Sequence, residues 1–195
     1  ILLAADEVQT GFGRTGKMFA AEHFGVTADT VSVAKAMGSG YPIGACILRS
    51  ALDFKQKGQH SNTYGGNVLG CAASLVTLDV IEQEGLVENA AKMGNHLAKR
   101  MDELKEEHAT IGDHRGLGLM RAFEFVDPKK KGFGGAPKAD PVLRDAVEKA
   151  SWQRGLITLG CGKNSLRVIP ALNVTAAQID GAMDVLGQAL KTARA

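Results

Sequence analysis

The sequence predicts an α/β protein, and three observations support this fold class. Short apolar segments suited to strands occur near the amino terminus, over 1–5 and 30–34. Two long segments carry apolar residues at helical spacing, over 68–83 and 86–108. Strand and helix patterns then alternate through the remainder, which is typical of a mixed α/β domain.

The amino-terminal region is predicted to contain three strands and a short helix. The first strand, Ile1–Ala5, is apolar throughout, the pattern of a strand buried on both faces. A glycine-rich turn over 11–16 and a short helix over 18–24 separate it from the second strand, Thr30–Ala34. A glycine loop containing Pro42 follows, and Ile43–Leu48 is predicted to form a further strand.

The remaining elements follow from the same periodicities. After the two long helices, the pattern predicts a strand over 117–126, an exposed loop over 127–140 and a helix over 141–154. Strands over 156–159 and 166–168 and a last helix over 176–193 complete the chain.

Composition excludes several function classes. The net charge is +2 and basic residues are mixed with acidic ones, so no nucleic-acid partner is expected. No apolar run approaches the roughly 20 residues needed to cross a membrane, and no leader pattern precedes the first strand. The 3 widely spaced cysteines suggest reduced thiols, without metal-ligand spacing. We therefore expect a cytoplasmic protein without a metal site.

The glycines of the turn superficially match nucleotide-binding motifs. Gly11, Gly13 and Gly16 satisfy G-x-G-x-x-G, and a near P-loop follows the same residues. Met18 stands where a P-loop needs a serine or threonine, and two carboxylates separate the strand from the glycines. The motif is therefore interpreted as a turn and not as a nucleotide loop.

Asp6 and Lys35 each follow a predicted strand. Taken singly, Asp6 could be a solvated loop carboxylate and Lys35 a lysine that extends to the rim. At the carboxyl edge of an α/β sheet, however, they are the two side chains that pyridoxal phosphate requires. The carboxylate keeps the pyridinium nitrogen protonated, and the lysine binds C4′ covalently. The pair therefore predicts a pyridoxal 5′-phosphate site.

Four stretches resemble the class III pyridoxal-phosphate aminotransferases, the group of 4-aminobutyrate, ornithine and acetylornithine aminotransferases. Their order and spacing match, and the similarity extends over the whole chain. The stretches are LAADEVQTGFGRTG (3–16), VAKAMGSGYPIGA (33–45), HSNTYGGN (60–67) and LRVIPAL (166–172).

The resemblance implies a role for five residues. Asp6 pairs with the pyridine nitrogen, Gln9 lies by the ring hydroxyl, and Lys35 is the catalytic lysine that holds the cofactor and then moves a proton. Thr63 binds the cofactor phosphate of a neighbouring subunit, which implies a homodimer, and Arg167 binds the substrate carboxylate.

The resemblance also implies the pyridoxal-phosphate transferase fold of type I. Residues 1–67 are then the end of the large cofactor-binding domain, 68–95 a connecting helix and 96–195 the small domain. The family's upstream phosphate loop and stacking aromatic residue would precede residue 1, so a missing amino-terminal half is expected. Pro170 is followed by Ala171, where the family usually has a second proline.

The expected function is transfer of an amino group from an amino acid to a 2-oxo acid such as 2-oxoglutarate. The stretch GLITLGCGKNSLR (155–167) resembles the 4-aminobutyrate branch, which favours an ω-amino acid donor. The alternatives are an acetylornithine or ornithine aminotransferase, an aminomutase or racemase of the same fold, and an inactive truncated fragment.

Overall fold

The computed structural model describes residues 1–193 and consists of two compact units, Ile1–Glu88 and a second that begins at Asn89. Strands and helices are mixed in both, so the predicted α/β class is confirmed. Among the described residues, no helix is long and apolar enough to span a membrane.

The first unit contains a three-stranded sheet in the order β1-β2-β3. The strands are β1 (Ala4–Asp6), β2 (Thr30–Val33) and β3 (Ala45–Leu48). β1 and β2 are parallel, and β2 and β3 are antiparallel. Short 3₁₀ helices lie between and after them, at Ala20–Phe24, Lys35–Gly38 and Ser50–Leu52.

The first strand is shorter than predicted and is not buried on both faces within the described residues. β1 has only three residues, and Ile1, Leu2 and Leu3 are exposed. Within the described residues β1 pairs with β2 alone, so one of its edges has no neighbouring strand to cover it.

Helix α1 (Val68–Gln83) ends the first unit's regular structure. It begins at Asn67, whose side-chain oxygen accepts a hydrogen bond from the Gly70 amide at 2.7 Å. This capping contact satisfies one of the free N–H groups of the first turn. Large apolar side chains, including Leu69 and Val76, are nevertheless exposed along the helix.

The second unit packs helices on an antiparallel sheet. Most of α2 (Leu86–Glu107) belongs to it, and α3 (Pro141–Trp152) and α4 (Ala176–Thr192) follow. The sheet order is β4-β5-β8-β7, and β6 pairs with β5. The strands are β4 (Ile111–Leu117), β5 (Met120–Lys131), β6 (Pro137–Ala139), β7 (Leu159–Cys161) and β8 (Ser165–Val168).

This unit differs from the sequence prediction in its first hairpin. A single strand was predicted over 117–126, but two long strands meet at a turn containing Gly118, whose φ is 50°. The region predicted as an exposed loop continues β5 to Lys131 and then pairs back through β6. Charged and glycine residues fill these strands because one edge and one face are accessible to solvent, so the apolar alternation is weak.

The second unit's core joins the helices to the sheet. Its fully buried side chains include Leu97 of α2, Phe123 of β5 and Leu186 of α4. At one point α2 approaches the hairpin turn so closely that a Cβ on Gly94 would lie 2.5 Å from the Gly118 Cα. Glycine is therefore required there for packing, because no larger side chain fits without a backbone shift.

Candidate functional site

Asp6 lies at the carboxyl end of β1, where the chain leaves the sheet. It pairs in register with Ser32 of β2, and the next amide, that of Glu7, donates to the Ser32 carbonyl at 2.9 Å. One Asp6 carboxylate oxygen accepts a hydrogen bond from the Val8 amide at 3.1 Å, a local contact common where an aspartate begins a turn. The side chain is exposed at this edge of the described sheet.

Lys35 lies beyond the end of the neighbouring parallel strand. Because Asp6 is in register with Ser32, Lys35 is three residues past the Asp6 partner, at the same sheet edge. Its φ is 49°, a left-handed conformation that costs a residue with a Cβ roughly 1–2 kcal/mol. Such strain concentrates at functional sites, where the surrounding structure imposes it.

The backbone around Lys35 is closely packed. A Cβ added at Gly44 would lie 3.1 Å from the Val33 carbonyl oxygen and 3.3 Å from the Ala34 Cβ. The glycine loop therefore passes directly against the end of β2. This close approach helps to fix the conformation in which Lys35 leaves the strand.

Gln9 lies in a short turn immediately after Asp6. The Gly11 amide donates to the Glu7 carbonyl at 3.0 Å and closes the turn around Gln9. Phe12 is buried beyond it and packs edge-on against Phe19, with ring centroids 6.1 Å apart. Three of the predicted residues, Asp6, Gln9 and Lys35, are thus carried by adjacent segments at one edge of the first unit's sheet.

The glycine-rich turn is followed by the five-residue 3₁₀ helix Ala20–Phe24 and not by an α-helix. Gly13 and Gly16 have φ angles of 86° and 85°, which favour glycine for conformational reasons. Burial lowers the pKa of Arg14 within the turn. This geometry lacks the strand–turn–helix arrangement of a dinucleotide loop and agrees with the interpretation as a turn.

Thr63 occupies an exposed turn just before α1. The Tyr64 amide donates to the Asn62 side chain at 3.0 Å, and the Gly65 amide donates to the Asn62 carbonyl at 3.3 Å. Gly66 follows with a φ of 64°. The Thr63 hydroxyl is therefore presented on a surface turn built by Asn62 and two glycines.

Arg167 belongs to the second unit. It lies in β8 between Leu159 of β7 and Ala122 of β5, and it lines a cavity of about 340 Å³ within that unit. Its Nε is buried and has no hydrogen-bond partner among the described residues. A buried donor without a partner is costly, so this guanidinium has unused capacity to bind an anion.

Glu7 is a residue of this region to which the sequence interpretation gave no role. It is only 3% exposed, although it directly follows the exposed Asp6. Its carboxylate accepts hydrogen bonds from the amides of Ala20 and Ala21 at 3.0 and 2.8 Å. A glutamate after a strand carries no sequence signal of burial, because carboxylates are normally exposed.

The donor set at this edge fits pyridoxal 5′-phosphate. It offers a carboxylate for a pyridinium nitrogen and a primary amine for C4′, and the strained backbone at Lys35 supports a functional use of that amine. Among the described residues, no cluster of histidine, cysteine or carboxylate side chains could hold a metal ion. The fold is that of a pyridoxal-phosphate transferase of fold type I, as the solved structures similar to this chain show.

Comparison with known proteins gives the family. The model of the class-III aminotransferases matches residues 1–190, and the chain belongs to this family. It is 41% identical to the acetylornithine aminotransferase of Archaeoglobus fulgidus, over 95% of this chain and 44% of that protein. It is 37% identical to a probable 4-aminobutyrate aminotransferase of Bacillus subtilis, over 98% of this chain and 43% of that protein.

A solved structure agrees with this assignment. The S-selective transaminase from Arthrobacter sp. with alanine bound superimposes with a TM-score of 0.89 and 31% identity. The match covers 98% of this chain and 44% of that one. The chain thus spans somewhat less than half the length of the relatives it matches.

Proposed function

We propose that the whole protein transfers an amino group from an amino acid to a 2-oxo acid, with pyridoxal 5′-phosphate as cofactor. The observation that carries the proposal is the placement of Asp6 and Lys35 at the carboxyl edge of two parallel, in-register strands. When bound, the cofactor supplies an electron sink for the charge that develops as the substrate carbon loses its proton.

Two residues of the first unit perform the chemistry in this proposal. The Asp6 carboxylate holds a proton on the pyridine nitrogen by charge and hydrogen bonding. The Lys35 amine would hold the cofactor at C4′ and, once the substrate amine has replaced it, would carry the proton that the substrate carbon loses.

The other predicted residues bind and orient. Gln9 contacts the ring hydroxyl, and Thr63 holds the phosphate bound to a second copy of the chain, which makes the active protein a homodimer. The exposed turn around Thr63 supports this role, because its hydroxyl is accessible to a partner. Arg167 binds the substrate carboxylate through a guanidinium whose Nε lacks a partner here.

The proposed donor carries its reacting amine far from its carboxylate. The sequence favours 4-aminobutyrate, and the relatives include both acetylornithine and probable 4-aminobutyrate aminotransferases. The two donors share a chemical feature, the lack of a free amine next to the carboxylate. In 4-aminobutyrate this amine is absent, and in acetylornithine it is acetylated. In both, the free primary amine is distant from the carboxylate, which is the group that Arg167 is proposed to bind.

A donor panel on the full-length protein tests this proposal. We expect kcat/KM with 2-oxoglutarate to be higher for 4-aminobutyrate and acetylornithine than for alanine, and their ratio identifies the branch. A value at least about tenfold higher for alanine, equivalent to roughly 1.4 kcal/mol, would contradict a distal-amine donor.

The same assay without acceptor separates the alternatives. A transaminase forms up to one equivalent of oxo acid per active site from the donor alone. A racemase instead scrambles the configuration of a chiral donor and accumulates no oxo acid. A protein that is inactive with every donor would contradict the proposal altogether.

A further inference from the structure

Glu7 is a buried carboxylate in contact with the turn that carries Gln9. Removing a carboxylate from water is costly unless its oxygens accept hydrogen bonds. One Glu7 oxygen accepts from the Ala21 amide at 2.8 Å, and the other accepts from the Ala20 amide at 3.0 Å and from the Thr10 hydroxyl. These bonds explain why the side chain can be buried.

The backbone of Glu7 is fixed as firmly as its side chain. Its amide donates to the Ser32 carbonyl of β2 at 2.9 Å, which ties the residue to the sheet. Its carbonyl accepts from the Gly11 amide, and a Cβ at Gly11 would lie 2.9 Å from that carbonyl oxygen. Gln9 is therefore enclosed in a turn that Glu7 closes twice, through Gly11 by its carbonyl and through Thr10 by its carboxylate.

Glu7 also anchors the far end of the glycine-rich loop. Ala20 and Ala21 begin a 3₁₀ helix, and the amides of a first helical turn need acceptors outside the helix. Glu7 supplies them from 13 and 14 residues away. The same carboxylate thus joins the sheet edge, the Gln9 turn and the helix after the loop.

We propose that Glu7 is a positioning residue, whose carboxylate holds the Gln9 turn so that the Gln9 side chain meets the ring hydroxyl of the cofactor. This inference rests on the role of Gln9 in the proposed function. Glu7 itself does not touch the cofactor in this proposal. Its effect on the reaction therefore passes through Gln9.

The test is a double-mutant cycle of Glu7→Gln and Gln9→Ala in the full-length, cofactor-loaded protein. Glu7→Gln keeps the size of the side chain but turns an NH₂ group toward groups that donate hydrogen bonds. We expect it to lower kcat/KM by up to roughly 100-fold and to shift the pH midpoint of the cofactor's visible band in the same direction as Gln9→Ala. In the Gln9→Ala background, Glu7→Gln should have an effect of less than about twofold.

Glu22→Gln is the matched control. Glu22 caps the same 3₁₀ helix, accepting from the Phe19 amide at 2.7 Å, and it lies outside the Gln9 turn. It should lower Tm without moving the visible band. If Glu7→Gln fails to fold, Thr10→Ala removes a single bond to the same carboxylate and should produce a smaller shift in the same direction.

The outcomes distinguish the two levels of the proposal. Suppose that Gln9→Ala shifts the pH midpoint of the visible band, but Glu7→Gln (or Thr10→Ala in its place) leaves it unchanged. The positioning role of Glu7 is then overturned, while the proposed function stands. Equal effects of Glu7→Gln with and without Gln9 also overturn it, because they show a purely structural role. If Gln9→Ala itself leaves band and kcat/KM unchanged, the role of Gln9 fails and the inference fails with it.

Discussion

Replacement of Lys35 by alanine and by glycine separates its chemical role from its backbone role. Both variants lack the amine, so both should lose covalent attachment of the cofactor and at least about 10²–10⁴ of kcat. They differ at the backbone, where the φ of 49° favours glycine over any residue with a Cβ. The two variants should therefore lose activity equally, and Lys35→Gly should be at least as stable as Lys35→Ala.

The expected difference in stability follows from two opposing effects. Alanine keeps the Cβ and the strain of the left-handed conformation, roughly 1–2 kcal/mol. Glycine relieves that strain but loses about 0.5–1 kcal/mol more in conformational entropy on folding. Lys35→Gly should therefore be as stable as Lys35→Ala or up to about 1.5 kcal/mol more stable.

Thermal or urea unfolding of the full-length protein measures this difference. The control is Ala36→Gly, an exposed position in the same 3₁₀ helix whose φ is not positive, where the substitution should cost about 0.5–1 kcal/mol. If Lys35→Gly is less stable than Lys35→Ala by as much as Ala36→Gly loses, no strain is stored at Lys35.

Borohydride reduction should attach the cofactor to Lys35, and label retained in Lys35→Ala would refute its catalytic assignment.

Two further predictions concern packing and cofactor retention. Gly94→Ala should destabilise the protein by about 1–3 kcal/mol, because the new Cβ would meet the Gly118 backbone. Gly181→Ala is the control: its Cβ would have open space, and it should stabilise α4 by about 0.5–1 kcal/mol. Equal Tm shifts of the two variants would contradict this prediction. Thr63→Ala should weaken cofactor binding by roughly 1.5–3 kcal/mol through a lost charge-assisted hydrogen bond, and an unchanged Kd or a fully active monomer would disprove the role of Thr63.

The sequence predicted the sheet edge better than the rest of the fold. Asp6 and Lys35 could be placed there because each follows a short apolar segment, and parallel pairing then brings the two strand ends together. The second unit's first hairpin could not be predicted in the same way. Its strand β4 contains Gly112 and several charged residues that form ion pairs on an exposed face, such as Arg115 with Glu124 at 2.8 Å.

The detailed geometry of the site could not be predicted from the sequence, for a different reason. Neither the left-handed φ of Lys35 nor the close approach of Gly44 to the end of β2 has a local sequence signal. Both arise from the way the glycine loop packs against the strand, and tertiary packing overrides local preference at such positions. Arg167 was found only through the resemblance, since an arginine in a short strand is otherwise unremarkable.

The adjacent carboxylates of Asp6 and Glu7 show that the register of the strand decides which of the two is exposed. Consecutive side chains of an extended chain point to opposite sides, so Asp6 is exposed at the sheet edge while Glu7 is buried behind it. Their different surroundings suit different tasks: Asp6 keeps an accessible oxygen for a ligand, whereas the oxygens of Glu7 accept from the surrounding loop. A shift of one residue would exchange these environments. The register of Asp6 with Ser32 is therefore as important to the proposed chemistry as the carboxylate itself.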